Sequence, residues 1–346
     1  MIRKTLGLAA LVMVVFAFCM ILPVSAADVD TSACINGGTG GMAPIVKCKW
    51  EQIDLCHYGT LEDGDPRHRI PGSQFLPNAT FEGEKWVWYY AVVTDNDGWQ
   101  DIMTVAADVW HPDNDLGGDG SFKYQVLMVD WLPKDVSVML FKDAANAGLI
   151  EYSDNFDYAE VLNEIEKGTA WVYFGAAKIH YCQPAGDYKV QVHAVDLCGG
   201  NSNVLENTFR WVPTSAAQFD FTQVDYGTIK PGFHVMRAGD TIFDTSDKPT
   251  VRNVGNVPIR INIEQDDMGL GKSTSFGEDV WNVYYDARMG NDDANLMNYA
   301  PYDMVTLPNP LLQCHTDELD FSIIIEKGMP GCHSGQMTLG WETAYI

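Results

Sequence analysis

The residues with the clearest chemical potential in this chain are its eight cysteines. Seven of them follow residue 27, and in an oxidising compartment such cysteines form disulfides. Because seven is odd, one sulfur is either free or bonded to another chain. The seven are Cys34, Cys48, Cys56, Cys182, Cys198, Cys314 and Cys332.

Four of these cysteines flank two predicted strands, at spacings that allow a disulfide between neighbouring strand ends. Closing a loop of this length contributes about 3 kcal/mol in the loop-entropy treatment. The predicted pairs are Cys182–Cys198, around a strand over 188–196, and Cys314–Cys332, around a strand over 319–326. The three remaining cysteines make one bridge, and the spare one either cross-links neighbouring subunits or stays free.

Histidines beside the cysteines raise the alternative of a zinc site. Cys314-His315 and Cys332-His333 together offer four ligands of the types that zinc prefers. Adjacent residues of a strand point to opposite faces, however, and exported cysteines oxidise. The sequence therefore favours disulfides over zinc.

An acidic turn, Asp95-Asn96-Asp97-Gly98-Trp99-Gln100-Asp101, places carboxylates at nearly alternating positions around a glycine. Oxygen ligands in this pattern resemble part of a calcium loop, with Asp95, Asp97 and Asp101 as the ligands. The full twelve-residue pattern and its closing glutamate are absent, and Asn-Asp-Gly is also typical of a tight hairpin turn. The sequence therefore favours a plain turn with no cofactor, and calcium binding is the alternative.

No catalytic motif is found in the sequence. It contains no Gly-x-Ser-x-Gly elbow and no His-Glu-x-x-His, and the Gly-Leu-Gly-Lys-Ser segment at 269–273 lacks the glycine spacing of a phosphate loop. Acidic residues are so numerous that a glycosidase pair would not stand out among them. We predict that the protein is not an enzyme. Asn78-Ala79-Thr80 is an acceptor for N-glycosylation.

The N-terminus predicts export. Arg3 and Lys4 precede an apolar stretch over 6–24, and Ser25-Ala26-Ala27 matches the small residues at a signal-peptidase site. We interpret 1–27 as a signal peptide; a retained membrane anchor is the alternative, because the stretch is nearly long enough to span a bilayer. No later segment has that length, so no membrane span is expected after cleavage.

Composition narrows the class of partner. The net charge of −25 repels phosphate backbones, which argues against nucleic-acid binding.

A hydrophobic fraction of 46% is that of a folded chain. The length of 346 residues exceeds what one core usually serves, which predicts two domains.

Strand patterns dominate the chain and predict an all-β fold. Two β-rich runs, over 86–93 and 102–110, surround the acidic turn and are typical of a hairpin. One helix is predicted at about 154–167, from apolar residues at helical spacing before Gly168. The predicted organisation is an N-terminal segment over 28–43, a β-sandwich over 44–212 with a helical insertion at about 142–168, and a second β-sandwich over 213–346.

Two groups of motifs resemble known families. PAGDYKVQVHAVDLCGGNSN, over 184–203, resembles the penultimate hairpin of Ig-like repeats in the PKD, cadherin and fibronectin-like group. YGTIKPG, PTVRNVGNVPIRI and PGCHSGQMTL, in that order after residue 225, resemble the terminal β-sandwich of secreted archaeal surface proteins and, more distantly, TasA- and camelysin-like fibre proteins. The resemblance implies two Ig-like sandwiches at the cell surface, with sheath or surface-layer subunits of filamentous methanogens as the nearest class.

Together these features predict an extracellular structural protein. Its copies would self-assemble into a homopolymer by pairing sheet edges and by an intermolecular disulfide, in contact with other cell-envelope components. The alternative function is a surface adhesin or carbohydrate-binding module, because Trp86 and Trp88 share one strand face and could stack on sugar rings.

Overall fold

The computed structural model describes residues 42–53, 74–111, 123–245 and 247–344. The predicted signal peptide over 1–27, most of the N-terminal segment over 28–43, and Cys34 and Cys56 lie outside the described residues. In the described part of the chain, neither helix combines the length and the apolar character that crossing a bilayer requires.

Strands up to residue 211 form two sheets, which we call the N-terminal sandwich. A four-stranded sheet has the order β6-β1-β3-β7, and a five-stranded sheet has the order β2-β9-β8-β4-β5. The strands are β1 (Ile45–Gln52), β2 (Gln74–Phe75), β3 (Glu84–Thr94), β4 (Ile102–Trp110), β5 (Lys123–Met128), β6 (Glu151–Tyr152), β7 (Trp171–His180), β8 (Gly186–Asp196) and β9 (Leu205–Trp211).

The four-stranded sheet is covered on both faces. One face packs on the other sheet, and the opposite face packs on two helices, α1 (Lys134–Asn146) and α2 (Tyr158–Lys167). Strand β3 is therefore buried on both faces: Tyr89 points into the inter-sheet core, and Tyr90 points into the core beneath the helices. A strand buried on both faces is a near-continuous apolar run rather than an alternating one.

Helix α2 lies within the predicted range. Its N-cap is Asp157, whose side chain accepts a hydrogen bond from the Glu160 amide at 2.9 Å, and Gly168 ends it at φ 75°. Helix α1 begins at Lys134, before the predicted start of the insertion at 142. Whether the two helices interrupt an Ig-like repeat stays a prediction.

The predicted hairpin between β3 and β4 is wrong, because the two strands belong to different sheets. Both edges of β3 are already paired, to β1 and to β7, so β4 has no free edge to join and pairs with β5 and β8 instead. The acidic turn is therefore an arch that passes from one sheet to the other at the end of the sandwich.

Strands after residue 216 form the C-terminal sandwich. Its larger sheet has the order β10-β12-β19-β16-β17, with β11 also paired to β19, and its smaller sheet has the order β18-β13-β20; β14 and β15 form a separate hairpin. The strands are β10 (Ala217–Phe219), β11 (His234–Arg237), β12 (Thr250–Asn253), β13 (Ile259–Gln265), β14 (Lys272–Ser275), β15 (Glu278–Trp281), β16 (Val283–Met289), β17 (Met297–Tyr299), β18 (Val305–Thr306), β19 (Thr316–Ile325) and β20 (Met337–Thr343).

The all-β sandwich fold is thus as predicted. The two sandwiches have separate hydrophobic cores, and they touch through polar and covalent contacts. The side-chain amide of Asn256 donates to the Val212 carbonyl at 3.0 Å, and the Arg252 guanidinium lies 3.9 Å from the centre of the Phe81 ring. Residues 41–346 form one unit, so the division into domains at residue 213 stays a prediction.

Candidate functional site

The three predicted calcium ligands lie together in the arch between β3 and β4. One carboxylate oxygen from each of Asp95, Asp97 and Asp101 lies within 4.8 Å of the others. Local geometry folds the arch in this way: Asp95 accepts a hydrogen bond from the Asp97 amide at 2.8 Å, and Gly98 takes φ 104°, which favours glycine. The arrangement brings three negative charges into one turn.

A fourth acidic residue, Asp196 at the end of β8, lies close enough to raise the pKa values of Asp95 and Asp101, although it is not one of the three clustered carboxylates. The amide of Leu197 donates to the Asp101 carbonyl at 2.7 Å, which ties the end of β8 to the arch. Asp196 is 1% exposed, and its Oδ1 accepts a hydrogen bond from the Gly200 amide at 2.7 Å. Sequence analysis missed Asp196 because it is distant along the chain and lies in an ordinary strand end.

Two oxygens of these four side chains are buried and lack a hydrogen-bond partner, Oδ2 of Asp95 and Oδ2 of Asp196. Burial raises the pKa of Asp95, and the neighbouring Asp101, Asp97 and Asp196 raise it further. Burial also raises the pKa of Asp101, and the neighbouring Asp196 and Asp97 raise it further. No lysine or arginine among the described residues forms an ion pair with these four carboxylates.

The cluster fits a calcium ion. Calcium binds several oxygen ligands in adaptable geometry, and its charge would offset both the repulsion and the missing hydrogen bonds. A hairpin turn needs none of these features. In particular, a plain turn gives no reason to bury an unpaired carboxylate oxygen, which costs free energy unless a partner is present.

The cysteines pair differently from the prediction. Cys182 forms a disulfide with Cys314, at a Cα–Cα distance of 5.4 Å and a sequence separation of 132. The predicted pairs Cys182–Cys198 and Cys314–Cys332 are therefore wrong. Cys182 follows β7 and Cys314 precedes β19, and these two strand ends meet where the sandwiches touch, which sequence proximity does not reveal.

The other described cysteines divide into bonded and free. Cys198 is disulfide-bonded, whereas Cys48 and Cys332 are free. Cys48 was expected to be available for a disulfide, but it lies in the core beneath the helices, where burial raises the pKa of its thiol and keeps it unreactive. Cys332 is exposed, so among the described cysteines it is the free thiol within reach of another chain.

The alternative zinc site is not assembled. Cys314 is oxidised, and neither Cys332 nor His333 belongs to a metal-ligating cluster among the described residues. His315 and His333 instead contact backbone carbonyls of nearby residues at 2.9 Å. Asn78, the predicted glycosylation site, is exposed in the turn after β2, and its use stays a prediction.

An edge strand follows the exposed thiol in the chain. Among the described strands, β20 pairs only with β13, so its other edge is unpaired. Cys332 precedes the start of β20 by five residues, as the numbering shows. Trp341, in the strand itself, is 40% exposed. An unpaired edge with an apolar side chain beside it is a surface on which another strand can dock.

No family model matches the chain, and no curated protein matches it in sequence. Solved structures match at low similarity. The C-terminal domain of the AgI/II polypeptide BspA from Streptococcus agalactiae is 12% identical, with a TM-score of 0.21 over 88% of this chain and 97% of that one. The C-terminal domain of the antigen I/II-family protein AspA from Streptococcus pyogenes is 10% identical, with a TM-score of 0.21 over 86% and 94%.

A third similar structure is the CsuC-CsuE chaperone-tip adhesion subunit complex from the Csu pili of Acinetobacter baumannii. It is 11% identical, with a TM-score of 0.25 over 72% of this chain and 89% of that one. Values this low support no argument about function. The functional assignment therefore depends on the residues of this chain alone.

Proposed function

We propose that this protein is an extracellular structural protein of the cell surface, whose copies join through sheet edges and through an intermolecular disulfide at Cys332. The observation that carries the proposal is the exposed thiol of Cys332, five residues before β20, a strand whose outer edge is unpaired among the described strands. Two copies that pair β20 with β20 extend the sheet β18-β13-β20 across the contact. A disulfide between the two Cys332 residues then makes the pair covalent.

A polymer needs a second contact on each copy. Strand β7 ends the four-stranded sheet of the N-terminal sandwich, and apart from one bridge between Phe174 and Val129 its outer edge is unpaired among the described strands. Pairing at β20 and at β7 in turn gives a chain or layer of subunits. The resemblance of the C-terminal motifs to secreted archaeal surface proteins, among them sheath and surface-layer subunits, fits this arrangement. The lack of a catalytic motif in the sequence fits it as well.

The disulfide gives a direct test of the proposal. We expect oxidised, purified protein to run as a covalent dimer on non-reducing gels, and Cys332→Ser to remove the dimer. Cys48→Ser is the matched control, since Cys48 is also free but buried, and it should leave the dimer unchanged. A monomer band from oxidised wild-type protein, or a dimer that persists in Cys332→Ser, would contradict the proposed disulfide.

We further propose that the cluster of Asp95, Asp97 and Asp101 binds calcium, and that the charge of the ion also attracts the nearby Asp196 and so holds the arch to the end of β8. The buried, unpartnered oxygens of Asp95 and Asp196 support this assignment. Calcium would thereby stabilise the end of the N-terminal sandwich where the chain passes between sheets, a role suited to an extracellular protein.

A second candidate function is carbohydrate binding at the cell surface. Trp86 is 49% exposed, and its ring centre lies 6.4 Å from that of Trp88 on the same face of β3. Exposed aromatic rings in a row can stack on sugars. On a glycan array, this function predicts binding that Trp86→Ala removes and that Trp131→Ala, at an exposed tryptophan elsewhere, retains. Absence of binding by the wild-type protein would exclude it for the glycans tested.

A further inference from the structure

A cluster of three polar residues lies inside the N-terminal sandwich, between its two sheets. Lys49 and Glu51 are on β1, in the four-stranded sheet, and Asn207 is on β9, in the five-stranded sheet. Their exposed fractions are 0%, 1% and 9%. Charged residues are almost never this deeply buried unless they form ion pairs with each other or take part in a specific chemistry.

The three side chains form a closed ring of contacts. The Lys49 amine donates to Oε1 of Glu51 at 2.6 Å and also contacts the carboxamide oxygen of Asn207. The carboxamide nitrogen of Asn207 donates to Oε2 of Glu51 at 2.7 Å. One carboxylate oxygen is thus beside the amine and the other is beside the amide nitrogen.

A β-bulge brings these side chains inward. The register of β1 against β3 shifts between Val46 and Cys48. Val46 packs in the inter-sheet core, but Cys48, two residues later, packs beneath the helices. Because the bulge changes which positions face inward, Lys49 and Glu51 point between the sheets, where an unbulged strand would have placed them on the other face.

The ring contains the three components of an amide-exchange reaction. The Lys49 amine is a nucleophile when neutral, and burial lowers its pKa, although the neighbouring Glu51 opposes that shift. The carboxamide of Asn207 is the electrophile, and its carbonyl carbon is one bond from the oxygen that the amine contacts. Glu51 touches both nitrogens and can carry a proton from one to the other.

We propose that Lys49 and Asn207 become joined by an intramolecular amide bond, with Glu51 as the catalytic residue that relays the proton. The neutral amine attacks the Asn207 carbonyl carbon, and a bond forms between that carbon and Nζ. Glu51 accepts a proton from Nζ through Oε1 and returns one to the amide nitrogen through Oε2. The bond from the carbonyl carbon to that nitrogen breaks, and ammonia leaves. Nothing is oxidised or reduced, and no co-reactant is needed.

The position of this bond suits a protein that bears load. It joins the first strand of the N-terminal sandwich to its last long strand, across a sequence separation of 158. A force applied between the start of β1 and the connection after β9 would act on the covalent bond instead of on the hydrogen bonds of the sheets. The reaction takes place within one chain, so it does not depend on the proposed assembly.

Mass spectrometry of the purified full chain tests the proposal. Proteolysis of the reduced wild-type protein is expected to give one branched peptide that holds both Lys49 and Asn207 and that is lighter than its two parts by one ammonia. Recovery of two linear peptides with unmodified Lys49 and Asn207 would overturn the proposal and would leave a buried ion pair. A succinimide at Asn207 also loses ammonia but would not join the peptides.

Glu51→Gln tests the role assigned to the carboxylate. This variant keeps the size of the side chain but cannot relay the proton, so it should contain only linear peptides and melt on the order of 10 °C lower. Lys189→Gln, at a lysine elsewhere in the same sandwich, should keep the branched peptide. A branched peptide in folded Glu51→Gln protein would refute the catalytic role. Dimer formation through Cys332 is scored separately on non-reducing gels, so the two proposals can fail independently.

Discussion

The double variant Cys182→Ser/Cys314→Ser is expected to lose about 5 kcal/mol of unfolding free energy, because the disulfide closes a loop of 132 residues in the unfolded chain. For a chain of this size, that loss lowers the melting temperature by on the order of 10 °C. The bond also fixes the end of β7 to the start of β19, so limited proteolysis should cut the connection between the sandwiches, near residue 213, faster in the variant.

Thermal melts of the variant and of Cys332→Ser, compared without reductant, provide the measurement. Cys332→Ser is the control because it removes a cysteine without breaking an intramolecular bond. An unchanged melting temperature in the double variant would show that the bond does not constrain the chain as described.

Calcium is expected to produce the second large effect. At a hundredfold excess over its Kd, an ion that binds only the folded state adds about 2.7 kcal/mol to the free energy of unfolding. Asp196→Asn and Asp95→Asn should each remove most of this gain. Asp154→Asn, at an exposed aspartate of the same sandwich, should retain it. Melts in calcium and in chelator measure the difference, and equal melting temperatures for the wild-type protein would contradict the site.

The pH dependence of the calcium-free protein gives an independent signature. The pKa of Asp95 is higher in the folded state than its usual value, which applies to the unfolded state. At pH values between these two pKa values, the folded state therefore binds more protons than the unfolded state. The contribution of Asp95 to stability therefore falls as pH rises through that window. Without calcium, Asp95→Asn should be as stable as wild-type protein or more stable at neutral pH, and it should lose that advantage in acid.

The parts of the fold that followed from the sequence are those set by local pattern. The alternation in β8 places Tyr188, Val190 and Val192 in the core, because successive side chains of a strand point to opposite faces. Helix α2 was predictable because Asp157 and Gly168 are a capping pair that acts within a few residues. The all-β class followed from the number of such strands.

What the sequence did not reveal depends on contacts between distant residues. The arch at Asp95 is typical of a hairpin by composition, and only the pairing of β3 on both edges excludes one. Likewise, the partner of Cys182 is set by where the two sandwiches meet. Asp196 comes close to the acidic cluster from the end of another strand, so no local motif marks it.

The buried cluster was missed for a different reason. Lys47, Lys49 and Glu51 alternate with apolar residues in β1, a pattern that normally indicates a strand with one face in solvent. In this sandwich the helices cover one face of the sheet and the second sheet covers the other, so both faces are buried. The signal available in the sequence is the charge at alternate positions of β1, which pairs with β3, a strand whose residues 86–93 carry no charge.

Electron microscopy of the oxidised, purified full chain, with peptide mapping of the cysteines, tests the central claim most directly. If copies join as proposed, the images contain ordered fibres or layers, and the map contains a peptide in which Cys332 of one chain is bonded to Cys332 of another. Dispersed single molecules with a free Cys332 thiol would contradict the proposed assembly.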